Sequence, residues 1–451
     1  MKSNMINRFE QRSILLPNRL IYIIVGVAFA LRVSMIFVIP TSEDTTNIWP
    51  MTRNIVNNLL AGKGYSIDGV NPDLFVFPVY PIFLTSLRIL HIPFFYAKII
   101  QCLVGSLACL VVYHIGKRVF DEKIGLLAGF LWSIYPYSVA HSKALDDSTL
   151  MTLFAVLTIF MAIVSVEKKS LLNSILLGLF CGLSIMTRNT FVAFVPFLFI
   201  WLVYYLKLKY WRYTAIFVIS TSLVVMPWII RNYIYTGRIA LSTHGGGALW
   251  TANNPYINSL LKANLNQDYL YKIASVSAPI DYKKESMLYS EAIDFIKSNP
   301  GTFVENVFLR LYYFYGWKYY FRQVPDPPNG YLYPPLSPEN IEEIKEEANR
   351  VYSQPFYVFR SVAYSISAFP LFVMALGGSF TFSIKSKYNQ LMLLFIISFT
   401  LVHILSIANI RHRQPIDAIF TLYAANFIFW IKAKISKSES STQHICGGII
   451  Q

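Results

Sequence analysis

Two adjacent carboxylate pairs, Glu43-Asp44 and Asp146-Asp147, stand out in a chain of 451 residues of which only 14% are charged. Neighbouring carboxylates repel, so one member of such a pair is suited to taking a proton. The same pairs can bind a cation, solvate a loop or, at a helix start, answer the helix dipole. The matching basic groups are Arg188, Arg231, Arg411 and Arg413, with Lys143 close before the second acidic pair. Guanidinium forks bind phosphate oxygens in a fixed geometry. Arg32 lies inside an apolar run, where an unpaired guanidinium is costly, so it is expected to face the interior and meet an acid or a phosphate. His244 opens the stretch Gly245-Gly246-Gly247, and Asn253 and Asn254 follow. Such glycines let a backbone approach a ligand closely, although a tight turn explains them equally well. No phosphate-binding loop, dinucleotide fingerprint, zinc-protease motif or nucleophile elbow is present.

These residues need a scaffold, and the composition says which kind. Hydrophobic residues make up 55% of the chain and aromatics 16%. An ordinary soluble chain carries about 25% charged residues, so most of the missing polar surface must be replaced by surface facing lipid. The expected class is an all-α polytopic membrane protein. A disordered, collagen-like or disulfide-stapled chain is excluded. The net charge of +15 suggests cytoplasmic Lys and Arg rather than nucleic acid as a partner. Cys102, Cys109 and Cys181 sit in apolar stretches and read as small buried hydrophobes, and Cys446 lies in the tail.

Apolar runs are expected to span near 20–39, 95–116, 123–140, 149–166, 170–187, 190–206, 212–230, 356–380, 389–408 and 414–431. Every second connector is basic: Lys117, Arg118 and Lys123; Lys168 and Lys169; Lys207, Lys209 and Arg212; Lys385 and Lys387; Lys432, Lys434 and Lys437. This alternation puts both termini in the cytoplasm. It puts the long connectors 41–94 and 231–355 on the outer face, with both acidic pairs and the four arginines. The expected organisation is a membrane module over 1–230, an outer loop region over 231–355, further spans over 356–432 and a cytoplasmic tail over 433–451.

In the first connector, Ile48, Trp49, Ile55, Val56, Leu59 and Leu60 predict a helix lying in the interface, stopped by Gly62 and Gly64. Pro78–Leu90 predicts a second interfacial or re-entrant helix. The large connector holds a helical piece at Ser290–Ser298, an aromatic run at Leu311–Phe321 and an acidic helix from Ser337 to about Ser353.

The outer-face residues occur in an order that resembles the protein O-mannosyltransferase and aminoarabinose transferase type of membrane glycosyltransferase. The resemblance runs from about residue 20 to 432. Glu43-Asp44 is followed by Asn58-Leu-Leu-Ala-Gly-Lys-Gly-Tyr65 and Pro78-Val-Tyr-Pro81. Next come Gly116-Lys-Arg-Val-Phe120, Tyr135-Pro136 and Met186-Thr-Arg-Asn-Thr190. Trp228-Ile-Ile-Arg-Asn232 precedes the glycines, Ala292, Phe295, Ile296, Asn299 and Pro300 follow, and Arg411-His-Arg-Gln-Pro-Ile-Asp417 opens the last span.

The resemblance implies the GT-C fold, a bundle of about ten to twelve spans with interfacial helices in the first outer loop and a large outer loop. It also implies a polyprenyl-phosphate sugar donor, a lipid, glycan or protein acceptor, and no nucleotide or water-soluble cofactor. A divalent metal between the acidic pairs is left open. In that family the acid after the first span acts as base or positions the acceptor, which points to Glu43 or Asp44. The second acidic site usually carries Glu, where this chain has Asp146-Asp147. Arg188, Arg231, Arg411, Arg413 and Lys143 become candidates for the donor phosphate. His244, Gly245, Gly246, Asn253 and Asn254 would form a loop near the substrate. The compact size suggests a bacterial plasma membrane. A lipid or sugar transporter, or a surface-glycan ligase or polymerase, are the competing readings. A transporter is expected to show inverted repeats and small loops, and this sequence has neither.

Overall fold

The computed structural model of the protein describes residues 19–38, 49–263, 282–316, 345–346, 349–350 and 355–447. Among these residues every regular element is helical. Helix α1 (Arg19–Val38) precedes two short helices, α2 (Pro50–Leu60) and α3 (Val79–Ile89). Helices α4 (Phe94–Val119), α5 (Glu122–Ile134), α6 (Pro136–His141), α7 (Ser148–Lys168) and α8 (Leu171–Thr187) follow. A 3-10 turn at Asn189–Phe194 leads into α9 (Val195–Leu206), and then comes α10 (Trp211–Thr236). The large connector supplies α11 (His244–Ala252), α12 (Ile257–Lys262), α13 (Tyr282–Ser298) and α14 (Pro300–Tyr315). The chain ends with α15 (Pro355–Thr381), α16 (Lys387–Leu405) and α17 (Ile410–Gly447).

Eight helical segments among the described residues are long and apolar enough to cross a membrane. Two expected crossings fall short of that measure for local reasons. Leu171–Thr187 has 17 residues, and the run near 123–140 is broken into α5 and α6 at Pro136, whose ring cannot continue the preceding helix. The two short helices expected in the first connector are present as α2 and α3. Helix α2 begins with Pro at its first turn and is followed by Gly62 and Gly64 at φ of 71° and 77°, a backbone that favours glycine. The Ser290–Ser298 piece is longer than expected, starting at Tyr282, and the aromatic run begins inside α14. The rest of that run and most of the expected acidic helix lie outside the described residues.

The bundle is sewn together by close helix approaches. Helix α10 lies along α8, α4 along α5 and α15 along α17. Gly178 and Gly182, four apart on α8, meet α10 so closely that a Cβ on Gly178 would overlap Phe217 O at 2.6 Å and one on Gly182 would meet Val224 Cβ at 2.6 Å. Small residues at this spacing let helices pack by direct backbone contact in lipid, where no hydrophobic force drives them together. Gly178→Leu is therefore expected to destabilise the bundle by about 1–3 kcal/mol through overpacking, read as a lowered thermal midpoint in nanodiscs. An unchanged midpoint would show that α8 and α10 have slack.

Opposite ends of the bundle carry different chemistry. Near the C-terminal end of α7, Arg118 pairs with Glu167 at 2.7 Å, and Lys117 pairs with Glu122 at 3.3 Å. The N-terminal end of α7 follows Asp146 and Asp147, roughly 30 Å away at 1.5 Å per residue. The acidic pair therefore stands at the far end from these basic connectors. Arg32 is fully buried, as expected, but its described partners are neutral. It donates to Ala28 O at 3.2 Å, Ser133 O at 3.3 Å and Ser138 Oγ at 3.2 Å.

Candidate active site

Asp146 and Asp147 sit in the turn that feeds α7, and the protein holds that turn firmly. Gln101 on α4 donates through Nε2 to Ser142 O at 3.1 Å and to Ala144 O, and accepts from Tyr80 Oη at 2.8 Å. Backbone bonds from Ala144 N to His141 O and from Asp146 N to Ala144 O, each 2.9 Å, fold the turn back on α6. Pro136 starts α6 after the break, and this break lets the chain reverse so that His141 faces Asp146. The contact is 2.7 Å from His141 Nε2 to Asp146 Oδ2, with the imidazole stacked on Tyr137 at 5.5 Å. Asp146 Oδ1 accepts from Ser148 N at 2.9 Å.

Arg188 is the C-terminal neighbour of α8, with its backbone turned to the extended region. Its guanidinium clasps Asp147: Nε lies 3.1 Å from Oδ2, and Nη2 bonds Oδ1. Nη2 also donates to Ser148 Oγ at 3.2 Å. This two-toothed geometry fixes the guanidinium plane as well as its position. Arg411, at the start of α17, belongs to the same end of the bundle, since its charge acts on Asp146. Burial alone would raise the Asp146 pKa. The contact with His141, the Arg411 charge and the Ser148 N–H bond outweigh burial and hold the carboxyl well below the usual carboxylate range. Asp146 is thus ionised and, by the same token, a weak proton acceptor.

A buried histidine stack backs the arginines. The His403 and His412 rings lie 5.0 Å apart. His403 Nδ1 contacts Ile407 O at 3.0 Å, and Arg411 Nε donates to His412 Nε2 at 3.2 Å. The neutral ring of His412 in effect orients Arg411. Neither His141 as partner of Asp146 nor this stack was legible in sequence. The five-residue step from His141 to Asp146 matches no helical face, and His403 lies on another helix from His412.

Of the remaining sequence candidates, Lys143 stays with the acidic turn and the others fall elsewhere. Lys143 is buried within the acidic turn. Arg231 serves the first loop: Nη1 donates to Asp73 O and Nη2 to Tyr65 O, each at 3.0 Å, while its plane lies 4.4 Å from the Trp228 ring centroid. The Asp73 side chain there caps Val76 N at 2.8 Å, and burial pushes its carboxyl pKa up to about 6. Arg413 is spent inside the bundle. It pairs with Asp417 at 2.8 Å, donates to Tyr364 Oη at 2.7 Å and reaches Phe314 O. Asn253 donates to Leu249 O at 3.0 Å, and Asn254 caps the next helix by accepting from Tyr256 N at 2.8 Å.

The glycine stretch is helix rather than loop. Its close approach is to α13: a Cβ on Gly245 would collide with Tyr289 Oη, and one on Gly246 with Glu285 O. The His244 ring stacks edge-on against Phe75 at 4.5 Å. Glu43 and Asp44 lie outside the described residues. Among the described residues no three His, Cys, Asp or Glu side chains cluster as a metal ion requires. Asp146 and His141 give two donors, and Asp147 is engaged by Arg188, so these residues alone do not make a metal centre.

Residues 78–232 match the family described as dolichyl-phosphate-mannose-protein mannosyltransferase. No curated protein sequence matches the chain. The fold is similar to that of the oligosaccharyltransferase of Archaeoglobus fulgidus, in a structure with Zn and sulfate (TM-score 0.52, 12% identity) and in an apo structure (TM-score 0.51, 11% identity). Each comparison covers 94% of this chain and about half of the archaeal one, 51% and 52% respectively. The matched family region runs from α3 into α10 and includes the acidic turn and Arg188. The likeness to the archaeal enzyme is one of fold, and the family match covers about a third of the chain. This integral multi-pass membrane protein thus has a GT-C-like fold, and its residues 78–232 are similar to the dolichyl-phosphate-mannose-protein mannosyltransferase family.

Proposed function

We propose that the protein transfers a sugar from a polyprenyl-phosphate donor to a lipid, glycan or protein acceptor on the extracytoplasmic face of a bacterial plasma membrane. The observation that carries this reading is the Arg188 fork on Asp147 beside ionised Asp146, with Arg411 at the same end of the bundle. Arg188, held by the Asp147 carboxylate, and Arg411, held by His412, form a rigid wall of two guanidiniums for a leaving phosphate.

In the reaction, an acceptor hydroxyl or amine attacks the anomeric carbon as the bond from that carbon to the phosphate oxygen breaks. The electron pair leaves with the polyprenyl phosphate, and the acceptor's proton passes to a carboxylate. Asp146 is bonded to His141 and Asp147 to Arg188, which suits them to orienting charge rather than taking the proton. Glu43 or Asp44, after the first span, is the base. Arg188 and Arg411 meet the charge that builds on the departing phosphate, in fixed positions that need no reorganisation. A polyprenyl chain lying against the apolar helices would hold its phosphate at this end of the bundle.

Reconstitution in proteoliposomes with a radiolabelled polyprenyl-phosphate sugar and membrane extract as acceptor tests the reading. A new glycosidic bond, formed with release of polyprenyl phosphate, is expected. It should be lost in Glu43→Gln or in Asp44→Asn. Movement of the lipid across the bilayer with no bond formed would establish transport instead. Full transfer in the double variant would remove these carboxylates as base.

A further inference from the structure

Beside Arg188 the protein carries a second polar feature that the phosphate wall leaves unused. A cleft of about 230 Å³ is lined by Asn189, Val192, Leu241, Ser242, Glu285 and Tyr289, with Gly245 at its floor. Three chain segments build it: the 3-10 turn after α8, the link from α10 with the start of α11, and the N-terminal half of α13. The close seating of α11 on α13 depends on Gly245 and Gly246, where any Cβ would strike Tyr289 and Glu285. Glu285 is a buried residue, and its Oε1 accepts from Gly246 N at 3.4 Å.

The wall chemistry selects among ligands. One carboxylate, one phenol, one primary amide and one hydroxyl converge with two branched apolar side chains. A second phosphate would be repelled by Glu285, and a purely apolar chain would leave the Asn189 amide and the Tyr289 phenol against carbon. A sugar ring satisfies both halves, its hydroxyls meeting the polar groups and its C–H face lying on Val192 and Leu241. The volume is below the roughly 300–1,000 Å³ of sites that take drug-sized molecules, which fits one ring rather than a whole lipid-linked donor. Asn189 follows Arg188 directly, so their Cα atoms stand about 3.8 Å apart. This places the cleft at the Arg188 end of the bundle.

We propose that this cleft is a sugar-ring subsite, with Glu285 and Tyr289 as its hydroxyl-binding residues. The proposal rests on the glycosyltransferase reading for its place in the reaction, but not for the binding itself. Saturation-transfer NMR on the full-length protein in nanodiscs, with free D-mannose, D-glucose, D-galactose and N-acetyl-D-glucosamine as probes, reads binding without turnover. At least one hexose is expected to show transfer, and its affinity should fall roughly tenfold in Glu285→Gln, the loss of one charge-assisted hydrogen bond. Tyr289→Phe, chosen because it removes only an oxygen, should weaken the same hexose. No hexose signal, or a signal equal in wild type and both variants, would overturn the subsite.

In the transfer assay Glu285→Gln should raise KM for the donor if the ring is the donor's, and for the acceptor if it is the acceptor's, with kcat moving less. Unmoved KM values for both would also overturn the proposal. Hexose binding in a protein that transfers nothing would keep the subsite and sink the glycosyltransferase reading. Transfer without hexose binding would do the reverse.

Discussion

Arg188→Ala is expected to lower transfer by about 10²–10³ in kcat, the usual consequence of removing one preorganised donor from a developing anion. The reason lies in its fixed position: Nε and Nη2 engage both oxygens of Asp147, and Nη2 also reaches Ser148 Oγ. Arg188→Lys keeps the charge but has no planar fork, so it should recover only part of the rate. Asp147→Asn keeps the shape and removes the charge that holds the fork, and should fall between the two. Because Asp147 would be left without its partner in the alanine variant, thermal unfolding must be measured on each protein. Activity is compared per folded molecule. Wild-type kcat in folded Arg188→Ala would mean that Arg188 only braces the turn.

The second large effect concerns stability. Arg413 and Asp417 are one turn apart on α17, both almost fully buried, and joined at 2.8 Å. Tyr135 donates to Asp417 Oδ2 at 3.1 Å and Tyr364 accepts from Arg413 at 2.7 Å. Removing one member strands a charge in a low-dielectric interior. Asp417→Leu or Arg413→Met is thus expected to cost about 3–5 kcal/mol, seen as a large fall in the nanodisc unfolding midpoint. The double variant Arg413→Met/Asp417→Leu should be milder than either single one, because no unpaired charge remains. If Arg413→Met instead leaves the midpoint alone and abolishes transfer, Arg413 binds the donor as the sequence suggested.

The contrast between Arg188 and Arg413 marks the division between sequence and structure. Composition and the alternation of basic connectors determined that the chain is a helical membrane protein, since lipid exposure and charge placement act on residue types wherever they pack. The short helices at Pro50–Leu60 and Val79–Ile89 were legible for a similar reason. Their apolar spacing, prolines and glycines are local signals. The sequence marked four arginines and a lysine as one set of candidates, but not their separate tasks. Only the tertiary structure decided that Arg188 clasps Asp147, that Arg231 braces the first loop and that Arg413 is paired within α17. A guanidinium's function depends on which acceptors lie within about 3 Å, and those acceptors come from distant parts of the chain. The glycine triplet shows the same limit: backbone freedom is written in the sequence, but whether a ligand or a helix uses the space is settled by packing.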